Sequence, residues 1–466
     1  MDSTGDAGMK RLLTRFDTRA QIVLLALLAL LFLVWPVWRA WFPLEIAENE
    51  GWNAYHADAA MGARALYPPT DMLIVNNYPP LSFYVLGWLG RIFGDSLYVG
   101  RVVSLLSVLG LGALIARIVR QLGGGGAGAA IAALWFIATM ARSYNRFVGM
   151  DDPQLTAQLV MLAALSWFLA RDKAGKSAEP PILLMALAGF WKHNIIAMPA
   201  TVLAWLWWRD GVRAWRPTAV GAAAAVIGLA ICVAVYGDVF IANLLTPRPY
   251  RIMRALGGIG RAQWIIPALA IWALWAWRER EIFAARFTAL WIGVAFAVFV
   301  VQWGGEDILD NAQFDLVIAT AAGLGIAFDR IAATPFAHRY GVAAARATVV
   351  LILVVRLLAT FRTEPYLILF DPGYRAEFHA HAQAAREDAA RVAAIPGPVA
   401  CTVKIICRMA GKPYVWDDFR TDMMIYSGAA HGLDAPGLIR QRGYTYYEND
   451  WRTDVRSLHR AIIGPP

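Results

Sequence analysis

The chain has 466 residues, of which 59% are hydrophobic and only 17% charged, and a net charge of +9. A soluble domain carries nearer a quarter charged residues, and here the apolar residues come in blocks of about 20, the length that crosses a bilayer core. A water-soluble globular protein is thereby excluded. So is a nucleic-acid binder, because the basic residues sit in short clusters between apolar runs without a recognition motif.

In chain order, Lys10, Arg11, Arg15 and Arg19 precede a first long apolar run that has no small-residue cleavage site, so an uncleaved first helix is expected. About eleven apolar runs follow the bilayer-span pattern: 21–42, 97–119, 127–145, 153–170, 180–191, 195–208, 217–236, 263–277, 284–302, 313–329 and 342–361. The run at 180–191 is short and reads as a broken or re-entrant piece. Arginines and lysines at 117–120, 171–176, 209–216, 278–286 and 330–339 fall in alternate connections, on the side of the basic N-terminus. By the positive-inside rule that side is the cytoplasm. The connections 43–96, 146–152, 238–262 and 303–312 then share the outer face, as does everything after residue 361.

Two outer clusters oppose the charge rule: Arg142 with Arg146, and Arg248, Arg251, Arg254 and Arg261. Two readings stand. The side chains snorkel to lipid headgroups, or they bind phosphate, which guanidinium groups match in bidentate geometry. Segment 362–466 has a soluble composition and reads as a small α/β domain: a helix over 374–394, a strand over 397–401, a helix over 402–410 closed by Gly411, a strand over 414–418, a helix around 421–427 and a strand over 444–447. Cys232 lies in an apolar run and is expected to pack there. Cys401 and Cys407 would stand about 20 Å apart if fully extended, so a bridge between them requires a turn.

The chemistry-bearing residues gather in the first outer connection, with Glu45, Glu48-Asn49-Glu50, Tyr67-Pro68-Pro69, and Asn77-Tyr78-Pro79-Pro80-Leu81 ahead of Gly94 and Arg101. Asp151-Asp152 opens the helix after the next outer connection; Asp152-Pro153 is also good helix-start chemistry. This pattern resembles the GT-C fold membrane glycosyltransferases, in the bacterial branch of protein mannosyltransferases and aminoarabinose transferases that use polyprenyl-phosphate sugar donors. The resemblance covers most of 20–330 and is most specific over 48–106. It implies an all-α polytopic GT-C-like domain over 1–361, with the small periplasmic α/β domain over 362–466. It also implies a bacterial inner-membrane protein with its N-terminus cytoplasmic and its C-terminus periplasmic.

The family places a general base in the first-loop acidic motif, which here is Glu50, with Glu48 as the alternative because Asn49 stands where an Asp is common. Its second carboxylate maps onto Asp151 or Asp152. Transfer with inversion needs a base for the acceptor hydroxyl and a cation for the leaving phosphate. The expected phosphate contacts are Arg142, Arg146, Lys192, Arg248 and Arg251, with Asn77, Tyr78 and His193 contacting substrate. Glu50, His56 and Asp58 invite a divalent-metal reading, but their spacing matches no standard ligand set, and no cofactor is expected. The segment from Trp303 to Asn311 would line the acceptor side or serve as a plain connection. The implied partners are a polyprenyl-phosphate sugar and a cell-envelope glycan, lipid or protein acceptor. Two rivals are a transporter or lipid flippase, which would carry ionisable residues at mid-helix depth, and a non-catalytic binding protein that kept the fold.

Overall fold

The computed structural model describes residues 17–359 and 363–449. The basic residues Lys10, Arg11 and Arg15 and the expected domain boundary at 361/362 lie outside the described residues. Each apolar run is helical, and the protein is a multi-pass membrane protein.

Among the described residues, six helical stretches are long and apolar enough to span by themselves: Thr18–Arg39, Ser96–Gln121, Gly126–Ser143, Ala197–Tyr236, Phe283–Trp303 and Asp310–Ala333. A seventh arises if Ile252–Trp264 and Ile266–Arg278, bent by 87°, count as one broken span. This is fewer than the expected eleven. The runs at 195–208 and 217–236 belong to one stretch, Ala197–Tyr236, that turns at Gly211, whose φ is +56°. Glu179–Gly189 has 11 residues, below the length that spans unaided.

Local chemistry explains several of the helix starts. Asp17 accepts from Ala20 N at 2.8 Å, and Asp95 accepts from Leu97 N at 2.9 Å. Asp152 accepts from Gln154 N at 2.7 Å, one residue ahead of Pro153, which takes the cap position of the helix Gln154–Lys173. The connection 43–96 is more structured than a loop. It contains the helices Glu48–Asp58 and Leu81–Phe93, the second an apolar piece that periodicity over so short a run did not separate from its neighbour.

The C-terminal segment forms the expected helix, here Pro372–Ala394 with Asp371 as its cap, and a two-stranded parallel sheet in which Val399–Cys401 pairs with Thr445–Tyr447. Residues 414–418, expected as a strand, pair with no strand among the described residues. They run instead against the first connection, where Asp417 N donates to Leu73 O at 2.8 Å and Tyr414 stacks on Tyr55. Burying those side chains outcompetes a third strand position. The Cys401–Cys407 bridge is formed, because the helix Lys404–Met409 supplies the turn and brings the Cα atoms to 5.8 Å. Cys232 is buried, as expected.

Candidate active site

A cavity of about 590 Å³ opens where the first connection, the 190–196 break, the 238–262 and 303–312 connections and the C-terminal segment meet. Glu48, Asn49 and Trp52 reach it from the helix Glu48–Asp58, and Asn77 and Tyr78 from the Tyr-Pro-Pro stretch. His193, Arg248, Asp307, Asp417 and Asp418 complete much of its charged and polar lining.

The acidic motif splits in two. Residues two apart on a helix are turned by roughly 200°, so Glu48 and Glu50 face opposite ways. Glu50 is wholly buried and does not line the cavity. Its carboxylate accepts two bonds from Arg101, each 2.7 Å, and further bonds from Ile46 N at 3.0 Å and Asp151 N at 3.1 Å. Arg101 spends its remaining donors on the carbonyls of Ala40, Phe42 and Leu44. This pair therefore knots the end of the first helix to the acidic motif. Glu48 faces the cavity and is paired with Arg146. Burial by itself would raise the Glu48 carboxyl, but the Arg146 guanidinium together with a backbone hydrogen bond outweighs it and holds the group below the usual carboxylate range.

The Asp pair lies beneath the cavity rather than on its wall. Asp151 is buried, and among the described residues neither of its carboxylate oxygens has a hydrogen-bond partner. Burial, with the Glu50 charge beside it, pushes its carboxyl well above the ordinary value. Gly100 makes room for it, since a Cβ there would fall 2.0 Å from Asp151 Oδ1. Asp152 accepts from Lys192 Nζ at 3.2 Å, and the same ammonium stands 4.6 Å from the centre of the Tyr78 ring. Glu50 and the Asp pair thus converge, as the topology requires, but in a buried polar core.

The arginines also separate. Arg248 lines the cavity, stacks on Phe419 at 4.7 Å and forms no ion pair among the described residues. It is the one Arg or Lys among the cavity-lining residues. Arg146 is committed to Glu48. Arg142 is buried away from the cavity, donating to Leu357 O at 3.1 Å with its guanidinium 5.1 Å from the Phe32 ring centre. Arg251 is mostly exposed and stands 4.0 Å from Glu306, which Arg254 also binds at 2.9 Å. Arg142 and Arg251, expected at the phosphate, are therefore set apart from this space. The reason is that nearby acceptors, a helix-end carbonyl and Glu306, claim them.

Asn77, Tyr78 and His193 line the cavity as expected, whereas Asn76 is buried, donating to Leu66 O and Asn243 Oδ1 and accepting from Tyr78 N. Burial, Lys192 and Arg248 push His193 down to about 4, so its ring is neutral at neutral pH. Glu50, His56 and Asp58 do not converge: His56 bonds Trp52 O at 2.8 Å, and Asp58 pairs with Arg408 at 2.7 Å. Among the described residues no group of three or more His, Cys, Asp or Glu is placed to hold a metal ion.

Sequence reasoning missed Asn194, Gln302, Thr402 and the carboxylates Asp417, Asp418 and Asp422 on the cavity wall. The Asp417-Asp418-Phe419 triplet was a visible motif, but nothing local places it against Glu48, some 370 residues earlier by the chain numbering.

The sequence profile of the dolichyl-phosphate-mannose-protein mannosyltransferase family matches residues 77–236, which is 160 of the 466 residues. No curated protein matches the chain by sequence. In three dimensions the chain is similar to ArnT from Cupriavidus metallidurans, both in the apo state and bound to undecaprenyl phosphate. Both superpose with a TM-score of 0.57, at 13% and 15% identity respectively. These alignments cover 95% and 91% of this chain and 90% and 89% of ArnT. The apo oligosaccharyltransferase of Archaeoglobus fulgidus is similar over 87% of this chain and 65% of its own, with a TM-score of 0.53 at 12% identity. At such identities the likeness establishes the fold, which is that of the GT-C membrane glycosyltransferases.

Proposed function

We propose that the protein transfers a glycosyl group from a polyprenyl-phosphate-linked donor to a cell-envelope acceptor at the periplasmic face, with inversion. The observation that carries this reading is one cavity, in a GT-C fold, walled by the Glu48 carboxylate and by an Arg248 guanidinium that has no ion-pair partner among the described residues. An inverting transfer needs those two groups. The acceptor oxygen attacks the anomeric carbon while its proton passes to Glu48, and the bond to the lipid phosphate breaks with its electron pair on the phosphate oxygen. Arg248 stabilises the charge that develops there.

The base is Glu48 rather than Glu50, because Glu48 alone of the two reaches the cavity and its carboxyl is held ionised by Arg146. Lys192, anchored by Asp152 under Tyr78, adds positive potential from below, while Asn77, Tyr78 and His193 contact substrate. The family-profile match and a similar ArnT structure bound to undecaprenyl phosphate support a lipid-phosphate donor. The periplasmic placement in the inner membrane, with a cytoplasmic N-terminus, is supported by the charge alternation and by the Cys401–Cys407 bridge, which persists in an oxidising compartment.

The test is donor turnover in membranes carrying the protein, using labelled polyprenyl-phosphate sugars with wild type, Glu48→Gln and Glu50→Gln. Loss of turnover in folded Glu48→Gln is the expected result. Turnover that survives in Glu48→Gln removes the base assignment, and absence of donor binding by the wild type removes the transferase reading.

A further inference from the structure

Lys404 sits within the turn closed by Cys401 and Cys407, at the start of the helix Lys404–Met409. It is buried, and its Nζ donates to Glu48 O at 3.1 Å and to Asp418 Oδ1 at 2.6 Å. The next residue, Ile405, donates its N–H to Glu45 Oε1 at 3.3 Å. The two surfaces meet so closely at Gly51 that a Cβ there would lie 2.5 Å from Lys404 Cβ and 2.9 Å from Ile405 N. Glu48 is thus held twice: Arg146 grips its carboxylate, and Lys404 its backbone carbonyl.

Burying an ammonium is costly, and an apolar residue of similar length would fill this volume without that cost. The compensating charges are Asp418, which the ammonium contacts directly, and Glu45. Lys404 therefore bridges two cavity-lining residues, Glu48 and Asp418, that come from opposite ends of the chain. We infer that Lys404 is a positioning residue for the transfer reaction, fixing the first turn of the acidic-motif helix, so that the C-terminal segment belongs to the catalytic apparatus. The inference rests on the transferase reading for its kinetic arm, though not for its structural arm.

Three full-length variants in membranes test it: Lys404→Met, Asp418→Asn and the double variant. If Lys404 only neutralises Asp418, the double variant removes both the charge and the need for it, and turnover returns. If Lys404 positions Glu48, the double variant folds, as thermal melting shows, and keeps a donor KM within about threefold of wild type. Its kcat stays down by about tenfold or more, the scale of loss that small misplacements cause. Amide exchange over 48–52 rises in Lys404→Met and in the double variant. A kcat for the double variant within about twofold of wild type, or unchanged exchange over 48–52, overturns the inference. Absence of turnover by the wild type on every polyprenyl-phosphate sugar counts against the transferase reading instead, and the exchange measurement still decides whether Lys404 holds the helix.

Discussion

Arg101 and Glu50 meet in a two-pronged ion pair, Nε to Oε1 and Nη2 to Oε2 at 2.7 Å each, with both side chains wholly buried. The pair closes a network that also takes in three carbonyls at the end of the first helix and the backbone of Asp151. Removing one partner leaves an uncompensated buried charge, which costs about 3–5 kcal/mol. Arg101→Met is therefore expected to lower the melting temperature in detergent and the folded yield. An Arg101→Met protein that melts with the wild type would show that the pair does not anchor the motif.

Glu48→Gln should behave in the opposite way. Its side chain is about a third exposed and its neighbour Arg146 similarly so, which makes the pair a minor contributor to stability. Melting should stay close to wild type while donor turnover falls by roughly 10²–10⁴-fold, the usual worth of a general base. Because Arg146 holds the Glu48 carboxyl low, the acid limb of kcat/KM for the wild type lies below the ordinary Glu value of about 4.3. In Arg146→Gln, only the backbone hydrogen bond still opposes burial, and that limb moves to higher pH.

Arg248→Gln tests the phosphate contact. A hydrogen bond to a charged group contributes about 1.5–3 kcal/mol, so donor affinity should fall by roughly 10–100-fold. Arg251→Gln, at an exposed position beside Glu306, should leave it within about twofold. Equal losses from both variants would mean that the cluster acts as a diffuse field.

Asp417 and Asp418 offer a pH signature. Burial and the Asp418 charge push the Asp417 carboxyl well above its ordinary value, so the native state holds a proton that the unfolded chain has released. By linkage, stability contributed by that proton is present below the unfolded value near 3.9 and is lost as pH rises toward the folded value. Asp417→Asn keeps the cap on Phe419 N and needs no proton. It should raise the melting temperature at pH 7–8 and flatten its decline above pH 4, read by thermal melting across a pH series.

The Cys401–Cys407 bridge closes a short turn, for which chain entropy gives roughly 2 kcal/mol. Replacing both by Ser should lower the melting temperature and weaken amide protection over 401–407. Because Lys404 lies within that turn, donor turnover should drop with it.

How much was legible in the sequence depends on the range of the interaction. The apolar runs, the helix start at Asp152-Pro153, the helix over Pro372–Ala394 and the strand pair are local or periodic features, and pattern alone located them. The choice between Glu48 and Glu50 was also written locally, since two positions on one helix face opposite ways, but it stayed hidden while 43–96 was read as a loop. The arginine cluster misled because charge count says nothing of the acceptors that claim each guanidinium, as Leu357 O does for Arg142 and Glu306 for Arg251.

The sequence by itself determined a helical membrane protein with an acidic motif and an Asp pair that belong together, because hydrophobic length, charge alternation and capping act over a few residues. Only the tertiary structure decided which carboxylate faces the cavity, which arginine lines it, and that Lys404 and Asp418 stand beside Glu48. Those outcomes depend on contacts between segments hundreds of residues apart, where burial and competition for partners, rather than residue type, determine what each group can do.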